Sequence, residues 1–298
     1  MSGRARERTA TVRSDAMRSA SSPLSEARGL NDRRIRVAVV VPAFNEGLTI
    51  GPLLRGLPRD SAEIRYRTFV CNDGSTDGTE AAALAAGATV LRHSRNLGIG
   101  AALTTGFEAA LRWPADILVQ IDADGQHDPL MIPQLLEPIL RGEAEYAVGS
   151  RFLAGAVGWN PVRRVGVRFY SLLVKFLTGL PITDVTSGFR AFRAEAYDQL
   201  AIQSERNWAV EATLRVGLGH LRLVQVSTPY LPRLGGNSQF DFRRLFLIYH
   251  FRTALQIFRA YTASPVARPD GARGSAPSQE RLSLGLAAQE HPPVPRMR

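Results

Sequence analysis

The sequence is poor in several residue types, and each shortage excludes a class of protein. Cysteine occurs once among the 298 residues, at Cys71. A single cysteine excludes a disulfide framework and a cysteine-based zinc finger, and it fits a reducing cytosol. No run of about 18 uninterrupted apolar residues occurs, so we expect no ordinary membrane-spanning helix. The N-terminal segment has no apolar stretch of the kind that a secretory signal requires.

Lysine is nearly absent as well, because Lys175 is the only lysine among 37 basic residues. The formal net charge of +10 lies mostly at the two ends of the chain. Residues 1–36 contain nine arginines and four acidic residues, and residues 264–298 contain five arginines and three acidic residues. The central part is close to neutral and has no basic face interleaved with aromatic residues, so we expect no nucleic-acid partner.

Composition divides the chain into three parts. The two ends, residues 1–34 and 264–298, are rich in small, polar and proline residues, which predicts disordered tails. Residues 35–263 have the apolar content of a globular protein and a length that one α/β domain can fill. We therefore expect a single folded domain with a basic tail on each side.

Within residues 35–263, short apolar runs alternate with amphipathic segments. Strands are predicted at residues 35–41, 67–71, 89–91, 117–121 and 146–148, and helices at residues 47–56, 76–86, 99–112 and 129–140. This alternation is typical of βαβ units with a parallel sheet. Ligands of such sheets bind beyond the carboxyl ends of the strands. Residues 42–46, 72–78 and 122–128 follow strands directly and are the candidate site segments.

The segment after the fourth predicted strand has the chemistry of a cation site. Asp122 and Asp124 follow the strand at a spacing of two, and a bent strand end could direct both carboxylates at one hard cation. Mg²⁺ and Mn²⁺ prefer oxygen ligands, commonly one or two carboxylates together with substrate phosphates. Gln126 could add a carbonyl oxygen. The alternative is a surface turn that caps the next helix, and we expect Asp128 to be that cap.

The other two segments combine structural and functional candidates. Gly74 allows a sharp turn after the second strand, and Thr76 or Asp77 can cap the helix that follows. Asp73 lies at the strand end, where it could accept a hydrogen bond from a base or a ribose. Glu46 could cap the first helix or bind a ribose hydroxyl.

Taken in order, six segments resemble the family-2 inverting glycosyltransferases of the GT-A fold. They are VPAFNEG at 41–47, NDGSTDGT at 72–79, NLGIGAALTTG at 96–106, DADGQHDP at 122–129, GSRF at 149–152 and DVTSGFRAFR at 184–193. The branch that the chain resembles most is that of the polyprenyl-phosphate sugar transferases. The resemblance implies an α/β fold, a Rossmann-like three-layer sandwich with a mostly parallel central sheet, plus amphipathic helices at a membrane interface.

The resemblance also implies a nucleotide-sugar donor, with Mn²⁺ or Mg²⁺ as the cofactor, and a role for individual residues. Those implied in the nucleotide pocket are Pro42, Phe44, Glu46, Cys71 and Asp73. Those implied at the sugar diphosphate are Asp122, Ala123, Asp124 and Gln126, of which Asp122, Asp124 and Gln126 would hold the metal. The implied catalytic residues are Asp124, Arg151 at the reaction centre, and Asp184. Arg233 would clamp the diphosphate with Ser238 nearby, although Gln239 stands where a lysine is frequent.

The acceptor determines which further residues the reaction needs. A soluble hydroxyl acceptor would normally require a carboxylate base, and Asp184 and Glu211 are the spare carboxylates. Asp184 could instead brace the turn before Gly188, and Glu211 could form an ion pair on a helix surface. A lipid phosphate acceptor is already anionic and would need cations rather than a base.

Two stretches without acidic residues suggest a membrane surface. In residues 151–183, the polar side chains of Arg164, Arg168, Ser171, Lys175 and Thr178 recur every three or four residues and form a narrow stripe on a predicted helix. The stretch Phe242–Arg259 has four arginines and many aromatic residues. Basic amphipathic helices of this kind predict interfacial membrane helices, and packing on the sheet is the alternative. Arg164 and Arg168 would then bind the acceptor phosphate.

The sequence thus predicts a metal-dependent inverting transferase that moves a hexose from a GDP- or UDP-linked sugar to a polyprenyl phosphate. We expect it to act as a peripheral protein at the cytoplasmic face of the membrane. One alternative is a family-2 enzyme with a soluble or glycan acceptor in cell-envelope or secondary-metabolite glycosylation. Another is a non-catalytic nucleotide-binding or membrane-scaffolding protein. The sugar, the nucleotide and the oligomeric state stay open.

Overall fold

A computed structural model describes residues 34–155, 161–200, 202, 207–232 and 257 of the chain. Apart from Arg34, the two predicted tails lie outside these residues. Arg233, Ser238 and all of the second predicted amphipathic stretch except Ile257 also lie outside them.

The described part contains seven strands and seven helices, and up to Ser150 they alternate as the sequence predicts. The strands are β1 (Ile35–Ala43), β2 (Ile64–Asn72), β3 (Thr89–Arg92), β4 (Ile117–Gln120), β5 (Tyr146–Ser150), β6 (Arg190–Arg193) and β7 (Leu223–Ser227). The helices are α1 (Ile50–Arg55), α2 (Thr79–Ala85), α3 (Ile99–Arg112), α4 (Ile132–Leu140), α5 (Pro161–Thr178), α6 (Ala194–Leu200) and α7 (Trp208–Leu218). A 3₁₀ turn, Pro129–Met131, leads into α4. The predicted bounds of α3 are those observed, whereas β2 begins three residues earlier than predicted.

The early start of β2 follows from pairing with β1 rather than from its own hydrophobicity. Ile64, Arg65 and Tyr66 lie opposite Ile35, Arg36 and Val37 in a parallel ladder. Their burial alternates along the strand, unlike the fully buried second half. A buried partner strand therefore extends the ladder into residues that a search for continuous apolar runs leaves out.

The strands form one sheet in the order β3-β2-β1-β4-β6-β5-β7. Every neighbouring pair is parallel except the two that involve β6, which runs antiparallel to both β4 and β5. Alternate residues of β1 face opposite layers: Val39 packs in a cluster with α1, α2 and α4, and Val40 packs in a cluster with α3, α6 and α7. The predicted three-layer α/β sandwich with a mostly parallel sheet is confirmed.

A smaller third cluster attaches α5 to the domain. It contains Tyr170 and Val174 of α5, Val210 and Leu214 of α7, and Ile257. Ile257 belongs to the second predicted amphipathic stretch, so at least this residue packs in the interior. One face of α5 therefore packs against the rest of the domain, as the alternative to a membrane-facing helix predicts.

The topology brings the candidate segments to one edge of the sheet. β1, β2 and β4 are parallel neighbours, so residues 42–46, 72–78 and 122–128 all leave the sheet at its carboxyl edge. β5 has the same direction, because both β4 and β5 run antiparallel to β6. Arg151, directly after β5, consequently lies at this edge as well.

Candidate active site at the carboxyl edge of the sheet

The loops after β1 and β2 are joined into one wall by backbone-to-side-chain hydrogen bonds. Three successive amides of the first loop donate to side chains of the second: Asn45 to Ser75 at 3.0 Å, Glu46 to Thr79 at 2.8 Å and Gly47 to Asp77 at 3.0 Å. Asp77 also accepts from the Thr79 amide at 3.0 Å, although the N-cap residue of α2 is Gly78. The small polar residues of these motifs therefore fix the shape of the wall.

Asp73 is buried and organises the loop that leads into α3. Its Oδ1 accepts hydrogen bonds from His93 Nδ1 at 2.7 Å and from the Leu97 amide at 2.9 Å. Its Oδ2 accepts from the Gly98 amide at 2.8 Å. Asp73, which we expect to meet a base or a ribose, thus already has three donors from the protein. His93 was missed in the sequence, although it directly follows β3 and so satisfies the strand-end rule that selected the other segments.

Of the five residues expected to line the nucleotide pocket, Pro42, Cys71 and Asp73 are buried. The Cys71 side chain is fully buried, with Sγ 3.7 Å from His93 Nε2. Burial, and then the charge of Asp73, raises the pKa of the Cys71 thiol to about 12. Cys71 therefore lies behind the wall as a neutral thiol. Phe44 and Glu46 are partly exposed and can line a pocket, whereas Pro42 is buried.

The carboxylates of Asp122 and Asp124 lie beyond the end of β4. Both residues are half-buried, and the buried Ala123 separates them. Burial, and then the charge of Asp124, raises the pKa of Asp122 to about 6. Among the described residues, Gln120 Nε2 lies 3.4 Å from Asp122 Oδ1, and the Gln126 amide lies 3.1 Å from Asp124 Oδ1. The charges of two nearby arginines lower the pKa of Asp122 but do not cancel the effect of burial and of Asp124. Two neighbouring carboxylates whose repulsion is only partly offset fit a site for a divalent cation.

The position of the Asp122 carboxylate depends on Gly188, in the loop before β6. A Cβ atom at this position would lie 1.9 Å from Asp122 Oδ2. Within the described ranges, no group of three or more histidine, cysteine, aspartate or glutamate side chains could hold a metal. The two carboxylates would therefore need further oxygens, from Gln126, water or a substrate phosphate. Asp128 caps the next turn through the Leu130 amide at 2.9 Å, as predicted.

Arg151 and Asp184 form a buried ion pair. Arg151 Nε and Nη2 donate to Asp184 Oδ2 and Oδ1 at 2.7 and 2.8 Å, and Arg151 is 3% exposed. Burial disfavours the Asp184 carboxylate, but the charge and hydrogen bonds of Arg151 outweigh it and hold the pKa of Asp184 below its usual range. A carboxylate committed in this way is a poor proton acceptor. The geometry therefore favours the bracing role for Asp184 over that of a base.

Tyr230, three residues after β7, contacts both halves of this site. Its hydroxyl donates to Gln126 Oε1 at 2.5 Å, and the Arg151 guanidinium carbon lies 5.1 Å from the centre of its ring. No sequence pattern selects Tyr230, because its partners Gln126 and Arg151 are 104 and 79 residues away along the chain. The pairing of β5 with β7 brings them together.

Arg190 was also missed. It is fully buried in β6 and donates to the carbonyl oxygens of Val185 and Ser187 at 2.7 and 2.6 Å. These bonds hold the loop that carries Asp184 and Gly188. The FRAFR segment signalled this role only through an arginine inside an apolar strand.

Helix α5 differs from its predicted arrangement. Ser171, assigned to the polar stripe, is buried; it donates to the Thr183 carbonyl at 3.0 Å and accepts from the Val185 amide at 3.2 Å. Arg164 is partly buried and donates to the Gly155 carbonyl at 3.3 Å, whereas Arg168 is exposed. The exposed apolar residues recur at spacings of four, three and four, and they are Val165, Phe169, Leu172 and Phe176.

The second candidate base, Glu211, lies inside the protein. Glu211 forms an ion pair with Arg215 at 2.9 Å, but both side chains are buried, so the predicted pair is not on the surface.

No helix in the described ranges is long and apolar enough to cross a membrane.

A carboxylate pair at the tip of β4 and a buried arginine after β5 lie at the carboxyl edge of a mostly parallel sheet, together with the loops after β1 and β2. This arrangement is that of a GT-A glycosyltransferase. The chain belongs to glycosyl transferase family 2, whose sequence model matches residues 38–201.

Relatives and solved structures agree with this assignment. The chain is 33% identical over 220 residues to an undecaprenyl-phosphate mannosyltransferase of Micrococcus luteus, with 69% of this chain and 87% of that protein covered. It is also 33% identical to a polyprenol monophosphomannose synthase of Mycolicibacterium smegmatis, over 57% of this chain and 66% of that protein. Glucosyl-3-phosphoglycerate synthase from Mycobacterium tuberculosis, solved with Mn²⁺ and uridine-diphosphate-glucose, has a TM-score of 0.58 at 25% identity and covers 78% of this chain and 80% of its own.

Proposed function

We propose that the chain transfers a hexose from a GDP- or UDP-linked sugar to a polyprenyl phosphate, with inversion at the anomeric carbon. The observation that carries the proposal is the half-buried Asp122–Asp124 pair, which accepts few hydrogen bonds from the described residues and whose first carboxylate packs directly against Gly188. In the proposed reaction a phosphate oxygen of the acceptor forms a bond to the anomeric carbon. The bond from that carbon to the diphosphate breaks, and the nucleoside diphosphate leaves.

The donor half of the proposal rests on the carboxyl edge. The joined loops after β1 and β2 would hold the nucleoside, with Phe44 and Glu46 as the partly exposed members of the wall. Asp122, Asp124 and Gln126 would hold Mn²⁺ or Mg²⁺ against the diphosphate. When bound, such a cation stabilises the negative charge that develops on the leaving group. Glucosyl-3-phosphoglycerate synthase, which shares the fold, was solved with Mn²⁺ and its sugar nucleotide.

Arg151, whose charge acts on Asp122, would add a fixed positive charge to the donor site. Asp184 and Thr186 hold its guanidinium through three hydrogen bonds of 2.7 to 2.9 Å. A buried cation held in one geometry needs no reorganisation when charge develops nearby. Asp184 acts in this account through Arg151 and not as a base.

The acceptor half rests on α5. Its outward face combines four exposed apolar side chains with the exposed cations Arg168 and Lys175, which suits an interfacial membrane helix. Arg164 and Arg168 are one helical turn apart and would meet the acceptor phosphate, which fits an acceptor that needs cations and no base. The names of the two mannosyl-transferring relatives support the same acceptor class. The protein would then act as a peripheral protein at the cytoplasmic face of the membrane.

A soluble acceptor is the second candidate, because glucosyl-3-phosphoglycerate synthase has the same fold. The two candidates separate in one assay. Purified protein is incubated with Mn²⁺ and radiolabelled sugar nucleotides, and with either polyprenyl phosphate or 3-phosphoglycerate. The proposal predicts label that moves to the organic phase only with polyprenyl phosphate. Label confined to water-soluble product would refute the lipid acceptor, and no transfer with any donor would refute the proposed activity.

Substitution of Asp124 tests the cation site in the same assay. Asp124→Ala should lower transfer by at least about 100-fold, since a divalent cation supplies several kcal/mol of charge stabilisation and each 1.36 kcal/mol is tenfold in rate. Asp128→Ala is the matched control, because it removes a carboxylate from the same loop whose contact is a helix cap. Equal activity of Asp124→Ala and the wild type would contradict the role of the pair.

A further inference from the structure

The hydroxyl and backbone around Tyr230 hold one residue of the donor site, Gln126, at two points. Tyr230 Oη lies 2.5 Å from Gln126 Oε1, and the amide of the next residue, Leu231, donates to the Gln126 backbone carbonyl at 2.9 Å. A distance of 2.5 Å falls in the range of O–H···O bonds and is too short for N–H···O bonds. The contact therefore identifies the oxygen of the Gln126 carboxamide as the atom that faces Tyr230.

The ring of Tyr230 contacts two further groups at the same place. The Arg151 guanidinium carbon lies 5.1 Å from the ring centre. The His127 ring meets Tyr230 edge-on at 5.7 Å and stacks on Phe189 at 5.3 Å. A single side chain thus touches the loop that follows the carboxylate pair and the arginine held by Asp184.

We propose that Tyr230 is a positioning residue of the donor site, whose hydroxyl sets the orientation of the Gln126 carboxamide for a cation bound at Asp122 and Asp124. The inference rests on the proposed function, because it takes these three residues as the cation site. A carbonyl oxygen has two lone pairs, so Oε1 can accept from Tyr230 and still face a cation.

Loss of the hydroxyl would free the carboxamide. The terminal torsion of glutamine is broad and roughly two-fold, so an unrestrained side chain presents its NH₂ group as readily as its oxygen. Only the oxygen can ligate a cation. Tyr230 would therefore act by selecting one of the two orientations, and its removal would weaken binding that depends on the metal while leaving other binding unchanged.

The test is calorimetric titration of UDP and GDP into the purified full chain, with and without Mn²⁺. Tyr230→Phe keeps the ring over Arg151 and removes only the hydroxyl. It should weaken nucleotide binding in Mn²⁺ by about 2-fold, because only about half of the unrestrained carboxamides then present their oxygen to the cation. Binding without metal should stay unchanged. Tyr197→Phe is the control, because that hydroxyl bonds Thr104 on the other side of the sheet, and it should leave both affinities as they are.

A double-mutant cycle with Gln126→Ala locates the effect. If Tyr230 acts through Gln126, adding Tyr230→Phe to Gln126→Ala should produce no further loss. Three results would overturn the inference: wild-type affinity in Tyr230→Phe, equal weakening with and without Mn²⁺, or additive losses in the double variant. A wild-type protein whose nucleotide binding ignores Mn²⁺ would overturn the proposed cation site and this inference with it, which distinguishes the two failures.

Discussion

At the scale of single residues, Arg151 and Asp184 form an ion pair that is almost completely buried. Both side chains are almost completely removed from water, and their two hydrogen bonds are short. Each charge alone would be costly to bury, because the desolvation of an ion is repaid only by a well-placed partner. The pair therefore ties the residue after β5 to the loop before β6, where Gly188 and Asp122 meet.

Removal of the acid from this pair should destabilise the protein strongly. Asp184→Asn leaves the Arg151 charge buried without its partner, which typically costs about 3–5 kcal/mol. Urea denaturation of the purified protein measures the loss. Glu145→Gln breaks the partly exposed pair with Arg222 and should cost at most about 1 kcal/mol. Equal losses in the two variants would show that the Arg151–Asp184 pair carries no special weight.

The same pair gives stability a pH dependence of definite sign. The pKa of Asp184 is lower in the folded protein than in the unfolded chain, where an aspartate has a pKa of about 3.9. Its contribution is therefore complete above that value and is lost as the pH falls toward the lower pKa of the folded state. Stability measured from about pH 5 downward should fall less steeply in Asp184→Asn than in the wild type. Parallel curves would contradict the assignment.

At the scale of structural elements, the loop before β6 is shaped by what it must leave room for. Gly188 lies against Asp122, and Arg190 of β6 holds the loop through the carbonyls of Val185 and Ser187. The SGFR sequence thus combines a glycine that leaves room for a neighbouring carboxylate with a buried arginine that holds the loop. Both features fix the position of the Asp122 carboxylate, which lies beyond the end of β4.

Gly188→Ala should consequently affect the cation site more than the fold. The new methyl group would collide with the Asp122 carboxylate, and overpacking of this kind costs about 1–3 kcal/mol. We expect a loss of the Mn²⁺ dependence of nucleotide binding in thermal-shift assays. Gly78→Ala is the control, since nothing lies within 4 Å of its new Cβ atom. Normal Mn²⁺ dependence in Gly188→Ala would show that the space beside Asp122 is not needed.

The outward face of α5 makes a separate prediction about membranes. Phe169 and Phe176 are 59% and 86% exposed, so their replacement by serine should cost little stability. Burial of each ring in a lipid interface would contribute about 1.5–3 kcal/mol. Binding of the double variant to anionic liposomes in flotation should therefore fall by at least about tenfold. Leu130→Ser, at an exposed leucine outside α5, is the control and should bind liposomes like the wild type. Wild-type liposome binding by the double variant would show that α5 does not face lipid.

The sequence predicts elements well where their pattern is local and less well where packing decides. The bounds of α3 and the cap at Asp128 follow from residues within one turn. Ser171 has the spacing of the polar stripe on α5, yet its hydroxyl bonds the chain around Thr183 and Val185 inside the protein. Helical periodicity assigns a residue to a face, but the partners of that face lie elsewhere in the chain.

At the scale of the whole molecule, the parallel sheet explains why distant motifs form one site. The rule that ligands bind beyond the carboxyl ends of strands selects Asp73 and Asp122 from the sequence alone. His93 and Tyr230 are absent from that selection for different reasons. His93 meets the rule but follows a short strand at the edge of the sheet, whereas Tyr230 reaches Gln126 only through the pairing of β7 with β5. Single residues show no pattern that reports such long-range contacts.

In the proposed reaction Asp122 and Asp124 would hold a divalent cation at the donor diphosphate. Anomalous scattering from crystals soaked with Mn²⁺ and the nucleoside diphosphate that binds most tightly measures this. We expect a manganese peak within coordination distance of Asp122 and Asp124, in contact with the diphosphate oxygens. A bound nucleotide with no manganese at these two residues, or with manganese at another place, would contradict it.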